Sequence, residues 1–207
     1  GFIFVHELSS TFFLTNIPIY TSSKNLQVLM NNDIMSLIIS NNIWEEKMKN
    51  FFITLAMKIV YLGLKILGKN GGNLLGKIAY DWNPNIFRYF KINCPIIAVT
   101  ATNGKTMTNN AIGYVFKEAG KKVISNTEGN NMETGILSTL LKHCSLTGKI
   151  KADYLVFEVD EGYVPVVFKD LKLDTLVILD FFRDQLDRNG EVESLILRIN
   201  EFLKTYS

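Results

Sequence analysis

The segment that most constrains this chain runs from Ile96 to Thr106. It is a short apolar run, Ile96-Ile-Ala-Val99, followed by Thr100-Ala-Thr-Asn-Gly-Lys-Thr106. An apolar run of that length suits a parallel strand buried on both faces. Beyond the loop, Met107, Ala111, Ile112, Val115, Phe116 and Ala119 recur at steps of three and four, with Gly120 as a stop. That spacing predicts an amphipathic helix from about Thr106, with those residues on the core. At a strand-to-helix junction, backbone N–H groups and the helix N-terminus surround a phosphate. Lys105 would neutralise the outer oxygens, and the Thr106 hydroxyl would coordinate magnesium. The spacing is not that of Gly-x4-Gly-Lys-Ser/Thr, because Val99 stands where the first glycine belongs.

Downstream the pattern continues as alternating strand and helix. Val123-Ile124, Tyr154–Val159 and Thr175–Leu179 read as strands; Ile136–Leu141 and Glu191–Leu203 read as helices. Alternation of this kind predicts an α/β fold, a mostly parallel sheet with flanking helices, whose ligands bind at the carboxyl ends of the strands. Upstream, residues 1–47 lack a sustained period and are expected to be an uncharacterised extension. Residues 48–93 read as a short helical N-terminal region, and 94–207 as part of a central nucleotide-binding domain.

Composition removes several classes. Apolar residues make up 47% of the 207, enough for a real core, and a net charge of +2 argues against a dedicated nucleic-acid binder. Two cysteines, Cys94 and Cys144, make neither a zinc cluster nor a disulfide framework, which fits a reducing, cytoplasmic setting. The opening Gly-Phe-Ile-Phe carries no basic run or cleavage site of a secretory signal. Phe51–Gly68 has nearly the length to span a bilayer, but Lys58 and Lys65 lie inside it. Each lysine would cost about 2.5–3.5 kcal/mol at the bilayer centre. The reading is a helix packed on protein or lying at a membrane surface, not a span.

Two polar clusters fall after strands. Phe157-Glu-Val-Asp-Glu-Gly162 places Glu158, Asp160 and Glu161 at a strand end, on the same sheet edge as Thr106. Carboxylates there suit a hard cation bridging nucleotide phosphates, although a solvated acidic turn has the same sequence. Leu179-Asp-Phe-Phe-Arg-Asp-Gln-Leu-Asp-Arg-Asn-Gly190 follows the fourth strand and, read alone, is a salt-bridged turn.

As an ordered set these pieces resemble a known family. Thr100–Thr106 resembles the Thr-Gly-Thr-Asn-Gly-Lys-Thr loop of the Mur ligases at every position but Ala101. Phe182-Arg-Asp-Gln-Leu-Asp-Arg188, with Gln where most members have His, is similar to the MurT branch, the synthetase subunit of lipid II isoglutaminyl synthase. Glu158-Val-Asp-Glu161, the series Asn126, Gly129, Asn131, Gly135-Ile136, and the pieces Leu67–Gly72, Gly76–Ala79 and Asn83-Pro84 resemble the same branch. The likeness runs from about 48 to 200.

The resemblance implies an ATP-dependent ligase of peptidoglycan synthesis. Such an enzyme activates the D-isoglutamate α-carboxyl of lipid II as an acyl phosphate and amidates it with ammonia from a GatD-like glutaminase partner. It assigns Thr102, Asn103, Gly104, Lys105 and Thr106 to the triphosphate, and Asn126 and Asn131 to the nucleotide site. Thr106 and Glu158 would hold Mg2+, and Gln185 and Asp187 would lie near the second metal or acyl-phosphate site. Phosphoryl transfer suits such residues, since positioning and charge neutralisation do most of its catalysis. The location implied is cytoplasmic, near the inner face of the membrane. Departures are Ala101 for Gly, Met107 for Thr, Thr134 for Arg and Asp180 for Asn. The family continues past this chain's last residue, through a zinc ribbon and a C-terminal domain. Two further readings stay open: a degenerate nucleotide-binding module acting in protein interaction, and another Mur-type ligase such as a folylpolyglutamate or cyanophycin synthetase.

Overall fold

A computed structural model describes residues 24–126, 130–180 and 192–204. The chain divides into two compact units, the first ending at Glu46 and the second running from Lys47. Helix α1, Lys24–Ile66, supplies the described part of the first unit and enters the second. The rest of the fold belongs to the second unit.

Four parallel strands form its sheet: β1 (Ile96–Thr100), β2 (Val123–Ser125), β3 (Tyr154–Glu158) and β4 (Thr175–Ile178), in the order β2-β3-β1-β4. The two central strands are the most apolar and the most buried, as expected of strands covered on both faces. Registers such as Val99↔Glu158 and Thr100↔Ile178 bring all four carboxyl ends to one edge. Helices α2 (Leu74–Trp82), α3 (Lys105–Glu118), α4 (Glu133–His143), α5 (Val164–Phe168) and α6 (Val192–Lys204) surround it. The chain leaves β1 in one direction along the sheet and returns from β2 in the other. Right-handed crossovers therefore place α3 and α4 on opposite faces. The α/β expectation and its parallel sheet hold.

On one face α3 docks through Phe116, whose ring stacks on Tyr154 at 4.1 Å. The face it turns inward overlaps only in part with the one expected, since Ile112 and Phe116 are half-buried on it. Lys105, Asn109 and Gly113 are buried, whereas Met107, Ala111 and Val115 are exposed. The phase of this helix follows from its first residue: Lys105 points into the site, which brings the residues four and eight positions on to the sheet. On the other face α4 is buried continuously from Gly135 to Leu141, held between the sheet and α2. There the backbones come very close. Gly76 N donates to Ser138 Oγ at 2.7 Å, and a Cβ on Gly76 would run into the Thr134 carbonyl. Ile53 and Met57 of α1 join this core, and buried Asn83 donates to Asn50 Oδ1 at 2.8 Å to fix α2's end against α1. Residues 24–47 lie in α1, where the sequence had offered no assignment, and α5 was also unforeseen.

Because backbone rather than a flexible side chain faces Gly76, substitution Gly76→Ala is expected to destabilise the fold by about 1–3 kcal/mol. A denaturant titration that leaves the midpoint unchanged would contradict the close α2–α4 approach.

Candidate nucleotide site

The site grows out of the β1–α3 junction. β1 ends at Thr100, and Ala101 is fully buried, so its methyl, at the one position where the loop departs from the pattern it resembles, is packed inside. Gly104 precedes the helix with φ +79°, a left-handed conformation that disfavours any side chain. That turn sends Lys105 inward. Its side chain is almost fully buried, and Nζ donates to the Ala101 carbonyl at 2.6 Å, folding the lysine back over its own loop. Thr106, one residue on, is exposed at the first turn of α3.

Opposite stands the end of β3. In the order β2-β3-β1-β4, the chain leaves β1 toward β2 and leaves β3 toward β4, so the two loops part and open a crevice between neighbouring strands. Glu158, Asp160 and Glu161 are all buried there. Glu161 Oε2 lies 3.6 Å from Lys105 Nζ, beyond hydrogen-bond reach, and no hydrogen bond reaches it. Its other surroundings disfavour charge. Burial pushes the Glu161 carboxyl up to about 7, the Asp160 side chain adds to the rise, and Lys105 offsets only part of it. Asp160 Oδ1 accepts from the Glu161 N–H at 2.9 Å, which fixes the turn. Thr100 Oγ1 is likewise buried without a hydrogen bond. Buried carboxylates, one with an open oxygen, are donors of the kind a hard cation takes. Among the described residues no group of three or more His, Cys, Asp or Glu forms a ready metal cluster.

Asn126 directly follows β2 and braces the end of β3. Its amide mimics a strand residue: Oδ1 accepts from Glu158 N at 2.9 Å, and Nδ2 donates to the Glu158 carbonyl at 2.7 Å and the Asn130 carbonyl at 3.0 Å. Both donor hydrogens are thereby used. Asn131 contributes its backbone carbonyl, which accepts from Asp160 N at 2.8 Å. These two asparagines thus hold the acidic loop in place.

Beyond β4, Asp180 closes on the loop that follows β1. Its carbonyl accepts from Thr102 N at 2.9 Å, and its carboxylate Oδ1 accepts from Asn103 N at 3.2 Å. Gln185 and Asp187, with Arg183 and Arg188, lie outside the described residues. The structure brings together Thr102, Asn103, Gly104, Lys105, Thr106, Asn126, Asn131 and Glu158 at one edge. It sharpens two groups the sequence had only grouped or noted. Glu161, one of three acids in a turn that suit a cation, is the one facing Lys105. The Asp180 carboxylate, noted as a departure from Asn, reaches the Asn103 N–H. Cys94 and Cys144 are free thiols whose ionisation burial suppresses, as befits small packing residues.

Comparison with known proteins follows the same lines. The chain is 36% identical over 145 residues to the lipid II isoglutaminyl synthase (glutamine-hydrolyzing) subunit MurT of Staphylococcus aureus strain COL, covering 70% of this chain and 32% of that protein. The subunit of the same name from Streptococcus pneumoniae is 37% identical over 139 residues, 67% of this chain and 30% of that one. A UDP-N-acetylmuramoylalanine–D-glutamate ligase from Wolbachia pipientis is 30% identical over 104 residues, 50% of this chain and 18% of its own length. Among solved structures, MurF from Acinetobacter baumannii aligns with a TM-score of 0.47 at 20% identity, over 60% of this chain and 27% of that one. No protein-family model matches the chain. The chain spans about a third of the length of the MurT subunits it matches.

Glu161 carries a pH signature. Its folded value lies above its ordinary 4.5, so its contribution to stability is full below about 4.5 and is lost as pH rises toward 7. Relative to Glu161→Gln, the wild-type protein should lose on the order of 1–3 kcal/mol between pH 4.5 and 8. Denaturation midpoints of the two proteins that track in parallel across that range would refute it.

Proposed function

We propose that this chain, whose matched segment belongs to the Mur ligase family, is the ATP-binding part of a MurT-like ligase of peptidoglycan synthesis. The reaction in view activates the D-isoglutamate α-carboxyl of lipid II. A carboxylate oxygen bonds to the γ-phosphorus as the bond to ADP breaks, and ammonia from a glutaminase partner then displaces phosphate to leave the amide. ATP supplies the phosphoryl group, and magnesium, when bound, neutralises its charge. This chain's own share is the grip on the nucleotide.

The observation that carries the reading is the inward-turned Lys105 after Gly104, at the switch point of a parallel sheet, facing the acids at the end of β3. The N–H groups of residues 103–106 and the start of α3 would hold the phosphates. Lys105, now tied to the Ala101 carbonyl, would exchange that weak neutral acceptor for phosphate oxygens. Thr106 and Glu158 would hold the cation, and the open oxygen of Glu161 gives the same crevice a further donor. Asn126 would act by fixing Glu158, since its amide is committed to that residue's backbone. Titration calorimetry with ATP and magnesium tests this. Lys105→Ala should weaken binding at least tenfold, about 1.4 kcal/mol, and unchanged binding would remove the reading.

One observation favours a second reading, a nucleotide-binding module without ligase activity. The Asp180 carboxylate places negative charge on an N–H of the phosphate loop, where it competes with a triphosphate. Asp180→Asn keeps an acceptor and removes the charge. It should tighten ATP binding by roughly twofold to fivefold, the scale of one exposed charge interaction. Equal affinities in the two proteins would show that Asp180 is no obstacle.

A further inference from the structure

Within the second unit, α1 buries one side through Asn50, Ile53, Thr54 and Met57. Its opposite side is apolar too. Met48, Phe52, Ile59, Leu62 and Ile66 are all exposed, Phe52 at 58% and Ile66 at 79%. At 3.6 residues per turn they form one stripe about 27 Å long. Exposed Trp82 of α2 continues it, lining a shallow groove with Phe52 and Lys49. A helix apolar on both sides is ordinarily covered on both.

Charge says what covers it. Between residues 47 and 69 there are five lysines, Lys47, Lys49, Lys58, Lys65 and Lys69, and no acidic residue. On the helix, Lys49 flanks the stripe on one side and Lys47, Lys58 and Lys65 on the other, each roughly 85–105° from its centre. Lys58 also donates to the Lys142 carbonyl at 3.0 Å, which anchors that flank to α4. A second copy placed on this face would set cations against cations. An apolar stripe bordered on both sides by cations, with a tryptophan at its margin, matches a helix lying at the boundary of an anionic bilayer. No helix among the described residues is long and apolar enough to cross a membrane.

We propose that the outer face of α1 from Met48 to Ile66, with Trp82, docks this protein on anionic lipid. The inference stands apart from the nucleotide site and does not rest on its function.

Co-sedimentation of the full chain is compared on vesicles of phosphatidylcholine alone and of an equal mixture with phosphatidylglycerol. Binding to the mixture should be about tenfold stronger and should fall as salt rises. In Trp44→Phe, which leaves Trp82 as the single tryptophan, emission should shift to the blue on the mixed vesicles. Phe52→Glu combined with Ile59→Glu should abolish binding with an unchanged melting curve, because both side chains are exposed. Lys49→Glu with Lys65→Glu should remove the preference for the anionic lipid. Absent binding, or equal binding to both vesicles, overturns the proposal. So does a dimer in sedimentation that the two glutamates dissolve, which would assign the face to a second copy.

Discussion

The parallel pairing of β1 with β3 is the constraint on which everything at the site depends. With Val99 beside Glu158, the two strands end at the same height, and their loops leave in opposite directions. The pairing continues one step past the end of β3, where Val159 N donates to the Val99 carbonyl at 2.9 Å. A one-residue slip would exchange the two faces of the sheet and carry Glu158 away from the loop. Neither the lysine nor the acids would then meet in a crevice.

The crevice concentrates charge in a place that disfavours it. Lys105 and three carboxyl groups are buried within a few residues of two strand ends, yet the ion pair between Lys105 and Glu161 is long and leaves an oxygen unpaired. In the packed interior such an arrangement costs stability unless something neutralises it. The lysine compromises by bonding its own loop, and Glu161 by holding its proton toward neutral pH. Asn126 and Asn131 keep the acidic segment from relaxing away, since they tie its backbone to the end of β2 and the loop beyond. Unspent polar capacity held in place by a rigid frame is what a site prepared for a charged ligand looks like.

Much of this was legible before any coordinates. The apolar run before the loop, the Gly104-Lys105-Thr106 junction, and the alternation of strand and helix predicted the parallel sheet and the edge that carries the site. The facing of α3 was legible only in part, through Ile112 and Phe116. Its apolar residues mark Met107 and Val115 as core, whereas the inward turn of Lys105 imposes another phase and leaves both exposed. Asn126 read as a nucleotide ligand by resemblance, but an amide side chain pairs as readily with a strand backbone. Only its neighbours reveal which it does. The acids offered a similar ambiguity, since Glu158, Asp160 and Glu161 look alike in a turn and differ only in what surrounds them.

By itself, then, the sequence determined the four strands and the helices α3, α4 and α6 in their order, because hydrophobic period and turn chemistry are local; the start of α1 and the short α5 carry no such period. It also singled out the strand-to-helix junction that carries Gly104 and Lys105 as the candidate site. Tertiary structure decided which carboxylate confronts Lys105, that the Asp180 carboxylate reaches Asn103, and which side of α1 meets the core. Those are distances between segments far apart in the chain. They follow from strand order, register and helix packing, which no local pattern encodes. The loop after β1 belongs to both accounts: its residues mark the candidate site, and the strand beside it supplies the opposing charge.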